Sequence, residues 1–360
     1  MKMALENRRR LLKKGMSGLH LDALLVTQPA NWYYLTGFSG ESGALLCGLK
    51  GNTLITDGRF TVQAANETSG LQIQQQKGGL FDSIGEFLRR KNVKRVGYDP
   101  AQLTVAQFQA LKKATGSKSE WVSAPGIVES LRQRKDPAEL AQMRKAAILA
   151  GEVVEFVLPL LKPGVREFEI GAEIEYQMRK RGASGPAFES IVAFGERGAL
   201  PHARPTAKRL KKNELVVLDL GAVLGYYCSD ITRTVFVGRA SARIRGWYKA
   251  VLEAHTAAIA AVHNGAACGD VDAAARQVLT KHQLDQYFVH STGHGLGLEV
   301  HEDPRVARGQ KQRLEAGNVV TIEPGVYVEG VGGIRIEDDV AVHENRTEIL
   351  TRIPRDLIEL

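Results

Sequence analysis

The sequence predicts an α+β fold in two parts. A smaller α/β domain covers residues 1–126, and a larger domain over 127–360 repeats the order helix, helix, hairpin. Three observations lead to this reading. Residues 1–126 alternate short apolar runs with helical patterns. A strong helix start, Asp136-Pro137 with Glu139 completing a capping box, closes the boundary stretch SAPGIVESLRQRKDPAEL (123–140). Beyond it, two helical stretches lead into a β-rich hairpin, and the same order returns once more.

In the first domain, LDALLVT (21–27), GALLCGL (43–49), NTLITD (52–57), LQIQQQ (71–76) and VKRVGYD (93–99) read as strands. IGEFLRRK (84–91) and VAQFQALKKA (105–114) read as helices. No glycine-rich phosphate loop and no acid–histidine cluster occurs there. In the second domain the helix opened by Asp136 ends by Pro163-Gly164, and another runs from about Glu167 to Arg181. ELVVLDLGAVLGYYCSDITRTVFVG (214–238) reads as a hairpin turning at Leu224-Gly225. Helical stretches at about 241–263 and 270–284 follow. NVVTIEPGVYVEGVGGIRIEDDVAV (318–342) is the second hairpin, turning within EGVGG.

Composition narrows the function. With 360 residues, 44% hydrophobic and 24% charged, the chain can bury a sizeable core. No apolar run approaches the ~18 residues of a membrane span. The basic start MKMALENRRRLLKKG is followed by no apolar signal core, so a cytoplasmic protein is expected. Cys47, Cys228 and Cys268 are far apart and odd in number, which suits reduced structural thiols rather than a disulfide framework. Net charge is +8, with basic clusters at Arg8–Lys14 and Lys208–Lys212. No aromatic residues interleave with them and no nucleic-acid motif is present, so both read as solvated surface rather than a nucleic-acid footprint.

The chemistry concentrates in the second domain. HSTGHGLGLEVHEDP (290–304) packs His290, His294 and His301 into twelve positions. The intervening glycines disfavour a helix, so this is no zincin pattern, and further ligands must come from elsewhere. Each hairpin supplies two acids. About the Leu224-Gly225 turn, Asp219 falls opposite Asp230 to within one residue of register, and about Gly330, Glu323 falls opposite Glu337. Facing side chains in a ladder have Cβ atoms ~5 Å apart, and like charges there repel. Both pairs abut apolar strands. Buried close carboxylates must hold protons or recruit cations, and four of them suit two divalent ions placed to activate water. His294, flanked by glycines that let backbone approach closely, is the best nitrogen ligand. An oxygen-rich site with one imidazole suits Mn²⁺, and also Co²⁺, Fe²⁺ or Zn²⁺.

DLG…SDITRT, GHGLGLEVHE, TIEPGVY and GIRIED, in this order and spacing, closely resemble the pita-bread metallopeptidases. That family includes methionine aminopeptidase, aminopeptidase P and prolidase. NWYYLTGFSG (31–40) and the LRQRKDPAEL linker resemble the creatinase-type N-terminal domain of its proline-specific branch. The resemblance implies that Asp219, Asp230, His294, Glu323 and Glu337 hold two divalent metals, with Asp230 and Glu337 bridging. It implies Glu323 as acid–base, His202 in AFGERGALPHARP as an outer histidine, and His290, His301, Tyr327 and Arg335 on the substrate side. Without the resemblance, His202 could be a loop histidine and Tyr327 a core residue. Arg335 could be a surface cation or the partner of Asp338. The implied activity is hydrolysis of an N-terminal Xaa-Pro bond, with Xaa-Pro dipeptidase as the alternative. Peptides with proline second and a homodimer are the implied partners. A metal-free enzyme like creatinase, or a non-catalytic binding protein on the same fold, is opposed by the complete ligand set.

Overall fold

The computed structural model describes residues 2–360. The chain divides into two compact units, residues 1–132 and 133–360.

The first unit is built on a six-stranded mixed sheet. Its strands are β1 (Ala23–Val26), β2 (Ala44–Gly48), β3 (Gly51–Thr56), β4 (Gln72–Gln75), β5 (Arg95–Tyr98) and β6 (Glu120–Ser123), in the order β4-β3-β2-β1-β5-β6. The five expected strands are all present. β6 was not expected, because EWVS is too short and too polar to signal a strand alone. Helices α1 (Lys2–Gly18), α2 (Pro29–Thr36), α3 (Thr61–Glu67), α4 (Leu80–Lys91), α5 (Val105–Thr115) and α6 (Glu129–Arg132) complete it. The parallel pairs β3–β4 and β5–β6 are each joined through a helix, as parallel neighbours require. The basic cluster from Arg8 to Lys14 lies on α1, which buries Leu5, Leu12 and Met16.

The second unit opens with α7 (Pro137–Val157). Asp136 caps it as expected, its side chain accepting from the Ala138 and Glu139 N–H groups while Glu139 reaches back. The unit continues with α8 (Glu167–Lys180), β7 (Gly185–Pro186), β8 (Ile191–Phe194), β9 (Glu214–Leu220), β10 (Ala222–Leu224), β11 (Tyr227–Cys228) and β12 (Ile231–Val237). Then come α9 (Ala242–Ala261), α10 (Cys268–Lys281), β13 (Gly293–Gly295), β14 (Glu302–Val306), β15 (Val319–Ile322), β16 (Gly325–Val328), β17 (Gly332–Arg335), β18 (Asp338–Val342) and β19 (Thr347–Ile349). The expected repeat is real. Val153, Val154, Ile170 and Ile174 of α7 and α8 pack on Val216, Leu218 and Val235 of the first hairpin. Ala254, Ala258, Val271 and Ala275 of α9 and α10 pack on Val320, Ile322 and Val340 of the second.

Register decides where the acids point. In the second hairpin Ile322 faces Asp338 in one ladder and Gly325 faces Arg335 in the next, so the shared register sets Glu323 opposite Glu337 between the two, as expected. The first hairpin differs. Leu224 pairs with Tyr227, so the turn is Gly225-Tyr226 rather than Leu224-Gly225. Both turn residues have positive φ, +55° and +72°, as a tight two-residue hairpin demands. Asp219 therefore faces Thr232, and Asp230 lies two residues along on the same side of the strand. The two acids are diagonal, not directly opposed.

The two hairpins are fastened by a buried charge. Arg233 on β12 donates to Asp338 at 2.7 Å, to the Ile353 and Pro354 carbonyls and to the Glu337 carbonyl. Asp338 also accepts from Thr351 and lies 3.2 Å from the buried His255. Asp338 thus pairs with Arg233, not with Arg335. Breaking a buried pair from one side leaves an uncompensated charge, which costs about 3–5 kcal/mol. Arg233→Met is expected to lower stability by that amount in urea unfolding. A loss under about 1 kcal/mol would mean that His255 takes over as the counter-charge.

Candidate metal centre

The five candidate ligands come from both hairpins and the strand beside them. Asp219 lies in β9, Asp230 just before β12 and His294 in β13. Glu323 follows β15, and Glu337 sits between β17 and β18. Asp230, His294 and Glu337 each offer a ligand atom within 4.8 Å of the others. Glu323 Oε1 is 3.5 Å and Asp230 Oδ2 is 3.8 Å from His294 Nε2. The tautomer follows from the other ring nitrogen. His294 Nδ1 lies 3.0 Å from the Gly295 carbonyl, so it carries the proton and leaves the Nε2 lone pair aimed at the acids. The glycines beside His294 serve the sheet rather than a ligand. A Cβ on Gly293 would collide with the Thr321 carbonyl, and one on Gly295 with that of Asp303.

Burial makes this cluster costly without a counter-ion. Burial first, then the neighbouring carboxylates, push the Asp230 and Glu337 carboxyls well above their usual range. Burial pushes Glu323 up to about 7, opposed by Arg335. Desolvation pushes His290 and His294 down to about 4, holding both neutral. Asp219 Oδ1 and Asp230 Oδ1 are buried and accept no hydrogen bond. Two orphaned carboxylate oxygens, a directed imidazole lone pair and crowded acids fit divalent cations.

This predicts a pH signature for the metal-free chain. Groups with raised folded pKa hold protons that the unfolded chain has lost, so stability falls as pH rises above their unfolded values. Histidines with lowered pKa act oppositely, but only between about 4 and 6.5, where the unfolded imidazole titrates. Above pH 6.5 the carboxylates alone set the slope, about 1.4 kcal/mol per pH unit for each retained proton. The metal-free melting temperature is therefore expected to fall from pH 6.5 to 8, and added divalent metal should remove that fall. A metal-free melting temperature that holds or rises over this range would contradict the raised carboxyls.

The remaining candidates form a chain beside the acids. Arg335, fully buried, donates to Asp219 Oδ2, to Tyr327 Oη at 2.6 Å, to Thr232 Oγ1 at 3.0 Å and to the Pro201 carbonyl at 3.3 Å. It is therefore neither a surface cation nor a partner of Asp338. Tyr327 Oη in turn meets His290 Nε2 at 2.8 Å, while His290 Nδ1 donates to the Ser291 carbonyl. His301 is exposed, its ring centroid 4.3 Å from that of His294. His202 is exposed next to Pro201, and lies close enough to add to the effect of burial, which is what chiefly lowers the pKa of His290 and His301. The structure thus gathers all ten candidates.

Several contributors escaped the sequence reading. Thr232 Oγ1 donates to Glu337 Oε2, Thr321 Oγ1 approaches Glu323 Oε1 at 3.4 Å, and Asp339 Oδ2 accepts the Asp230 N–H. Each threonine stands two residues from a ligand, so strand alternation places both on the ligand face. Lys135 and Glu302 form a buried pair at 3.0 Å beside His301. Nothing local in the sequence signals that pairing.

Comparison with known proteins places this geometry. Residues 141–344 match the model of metallopeptidase family M24, and residues 8–134 match the creatinase/prolidase N-terminal domain. The chain belongs to family M24. It is therefore a peptidase that uses divalent metal. Its fold is the one the motifs implied, a creatinase-type N-terminal domain followed by the pita-bread catalytic domain. It is 35% identical over 347 residues to the Xaa-Pro dipeptidase of Pyrococcus furiosus, covering 96% of this chain and 98% of that protein. The structure of an Xaa-Pro dipeptidase from Bacillus anthracis superposes with a TM-score of 0.96 at 36% identity, covering 99% of this chain and all of that one. An X-Pro aminopeptidase from Thermotoga maritima gives 0.89 at 33% identity, covering 96% and 100%. Xaa-Pro dipeptidases among the relatives thus support the alternative better than the aminopeptidase P expectation. No helix among the described residues is long and apolar enough to cross a membrane.

Proposed function

We propose that the chain is an Xaa-Pro dipeptidase, hydrolysing the peptide bond that precedes a C-terminal proline. The observation that carries this reading is full-length similarity to Xaa-Pro dipeptidases, joined to the close group of Asp230, His294 and Glu337 with Glu323 beside it. Cleavage of longer peptides ahead of proline is the second reading, supported by the Thermotoga X-Pro aminopeptidase likeness.

Asp219, Asp230, His294, Glu323 and Glu337 would hold two divalent cations, with Mn²⁺ the best match to an oxygen-rich set with one imidazole. When bound, such a pair lowers the pKa of water and stabilises charge on the scissile carbonyl. Glu323 accepts the proton of the attacking water and delivers it to the departing proline nitrogen. A carboxyl that burial holds near neutrality already sits in the range that proton transfer needs, and bound cations draw it lower. His290 stays neutral and fixed between Tyr327 and the Ser291 carbonyl, so it presents a set face to substrate. His301, exposed above His294, donates to the carbonyl oxygen as charge develops, and His202 lines the same open side.

The test is a competition digest. The protein with Mn²⁺ receives Ala-Pro, Ala-Pro-Ala and Ala-Ala-Ala together, beside a chelated control. Cleavage of Ala-Pro alone, lost on chelation, is the expected result. Cleavage of Ala-Pro-Ala ahead of proline would move the assignment to the aminopeptidase. No metal-dependent cleavage of any peptide would overturn both.

A further inference from the structure

His290 stands on a segment with little regular structure of its own. Residues 288–292 precede β13 and belong to no strand, yet they carry a candidate substrate-side imidazole. The restraint comes from behind, from α10. Asp272, buried in that helix, accepts from the Thr292 N–H at 3.2 Å and the Thr292 hydroxyl at 2.8 Å. Its other oxygen accepts from Arg276 Nε at 2.8 Å, one helical turn later. Arg276 then donates to the Phe288 carbonyl at 3.2 Å and to the His290 carbonyl at 2.6 Å. Its guanidinium lies 4.3 Å above the Phe288 ring, and that ring packs edge-on to His290 at 5.1 Å. Thr292 extends the chain, since its carbonyl accepts the Glu323 N–H at 2.8 Å.

We propose that Asp272 and Arg276 are positioning residues, a clamp on α10 that sets the placement of His290 and the backbone of Glu323. The proposal rests on the peptidase reading given above, in which both groups act on substrate. The planar fork of Arg276 aims three separate nitrogens at a carboxylate and two carbonyls, a fixed spread that an ammonium, with its donors on one nitrogen, does not reproduce. The clamp is reachable from solvent. It forms one wall of a groove of about 440 Å³ that Thr280, Lys281 and Arg308 also line.

That access makes the clamp testable by substitution and by chemical rescue. Arg276→Lys keeps the charge beside Asp272 but loses the fork. It should fold and bind metal as wild type does, while kcat/KM on Ala-Pro drops about 10–100-fold, the usual cost of losing an orienting partner. Arg276→Ala should lose activity similarly and recover part of it in millimolar guanidinium, which enters through the groove. Lys281→Ala, on the same groove, should match wild type. The His290 Nδ1–H proton resonance, recorded on the metal-free chain, should move in both Arg276 variants. An unchanged His290 resonance in both, or full activity in Arg276→Lys, would overturn the clamp. If wild type hydrolyses nothing while the resonance still moves, the peptidase reading fails and the clamp stands.

Discussion

Asp230→Asn is expected to lower kcat/KM on Ala-Pro by about a thousandfold or more and, at the same time, to raise the melting temperature of the metal-free chain. Both effects come from one cause. Asp230 lies fully buried among Glu337, Asp219, Asp339 and Glu323, all of which raise its pKa. Its Oδ1 finds no partner. In the metal-free chain this carboxyl is a liability, and an amide in its place donates to neighbouring oxygens and carries no charge. In the proposed centre the same carboxylate serves as a ligand once metal binds. Losing several kcal/mol of metal-derived stabilisation, at about 1.4 kcal/mol per factor of ten, produces the stated fall in rate. The measurement pairs steady-state kinetics with calorimetric melting, with and without Mn²⁺. Wild type should gain more from metal than the variant does. A structural acid would behave oppositely, its loss lowering the metal-free melting temperature. That result, with activity retained, would remove Asp230 from the metal centre.

Much of this site is legible in the sequence. Glu323 and Glu337 could be paired because the EGVGG turn is marked by glycines and the ladder keeps its register across Pro324. The first hairpin was misjudged by one residue because its turn places Tyr226, an aromatic, in the left-handed region normally signalled by glycine or asparagine. Side-chain alternation softened that error. The true register moves Asp230 by two places relative to Asp219, which keeps it on the same face. What stayed hidden depends on contacts far apart in sequence. Arg335 reads as one more strand cation until folding brings it to Asp219. Asp272 and Arg276 read as an ordinary one-turn helical pair until Thr292 and His290 come to rest on them. The proposed dipeptidase reading rests on the relatives for another reason. Both proline-specific activities draw on the same ligands, so the motifs alone could not rank them.

Glu323→Gln is expected to leave the fold and most of the bound metal in place while lowering kcat on Ala-Pro by about 10²–10⁴-fold, the usual contribution of a positioned acid–base group. Glutamine keeps an oxygen beside the His294 Nε2 lone pair that a cation can share, and the Thr321 hydroxyl beside it remains available. What it cannot do is hold and release a proton. The pH profile separates this from lost coordination. In wild type, protonating Glu323 removes the base, so activity should fall as pH drops through its working pKa, which bound cations place below the metal-free value of about 7. In Glu323→Gln that acid limb should vanish, and the residual rate should stay flat until a metal ligand protonates. Glu323→Asp, which retains a carboxyl on a shorter stem, should restore the limb with part of the rate. Loss of metal in step with loss of activity would make Glu323 a ligand alone. The proton would then have to pass through a neighbouring imidazole such as His290, whose Nδ1 lies 3.9 Å from the Glu323 carboxylate.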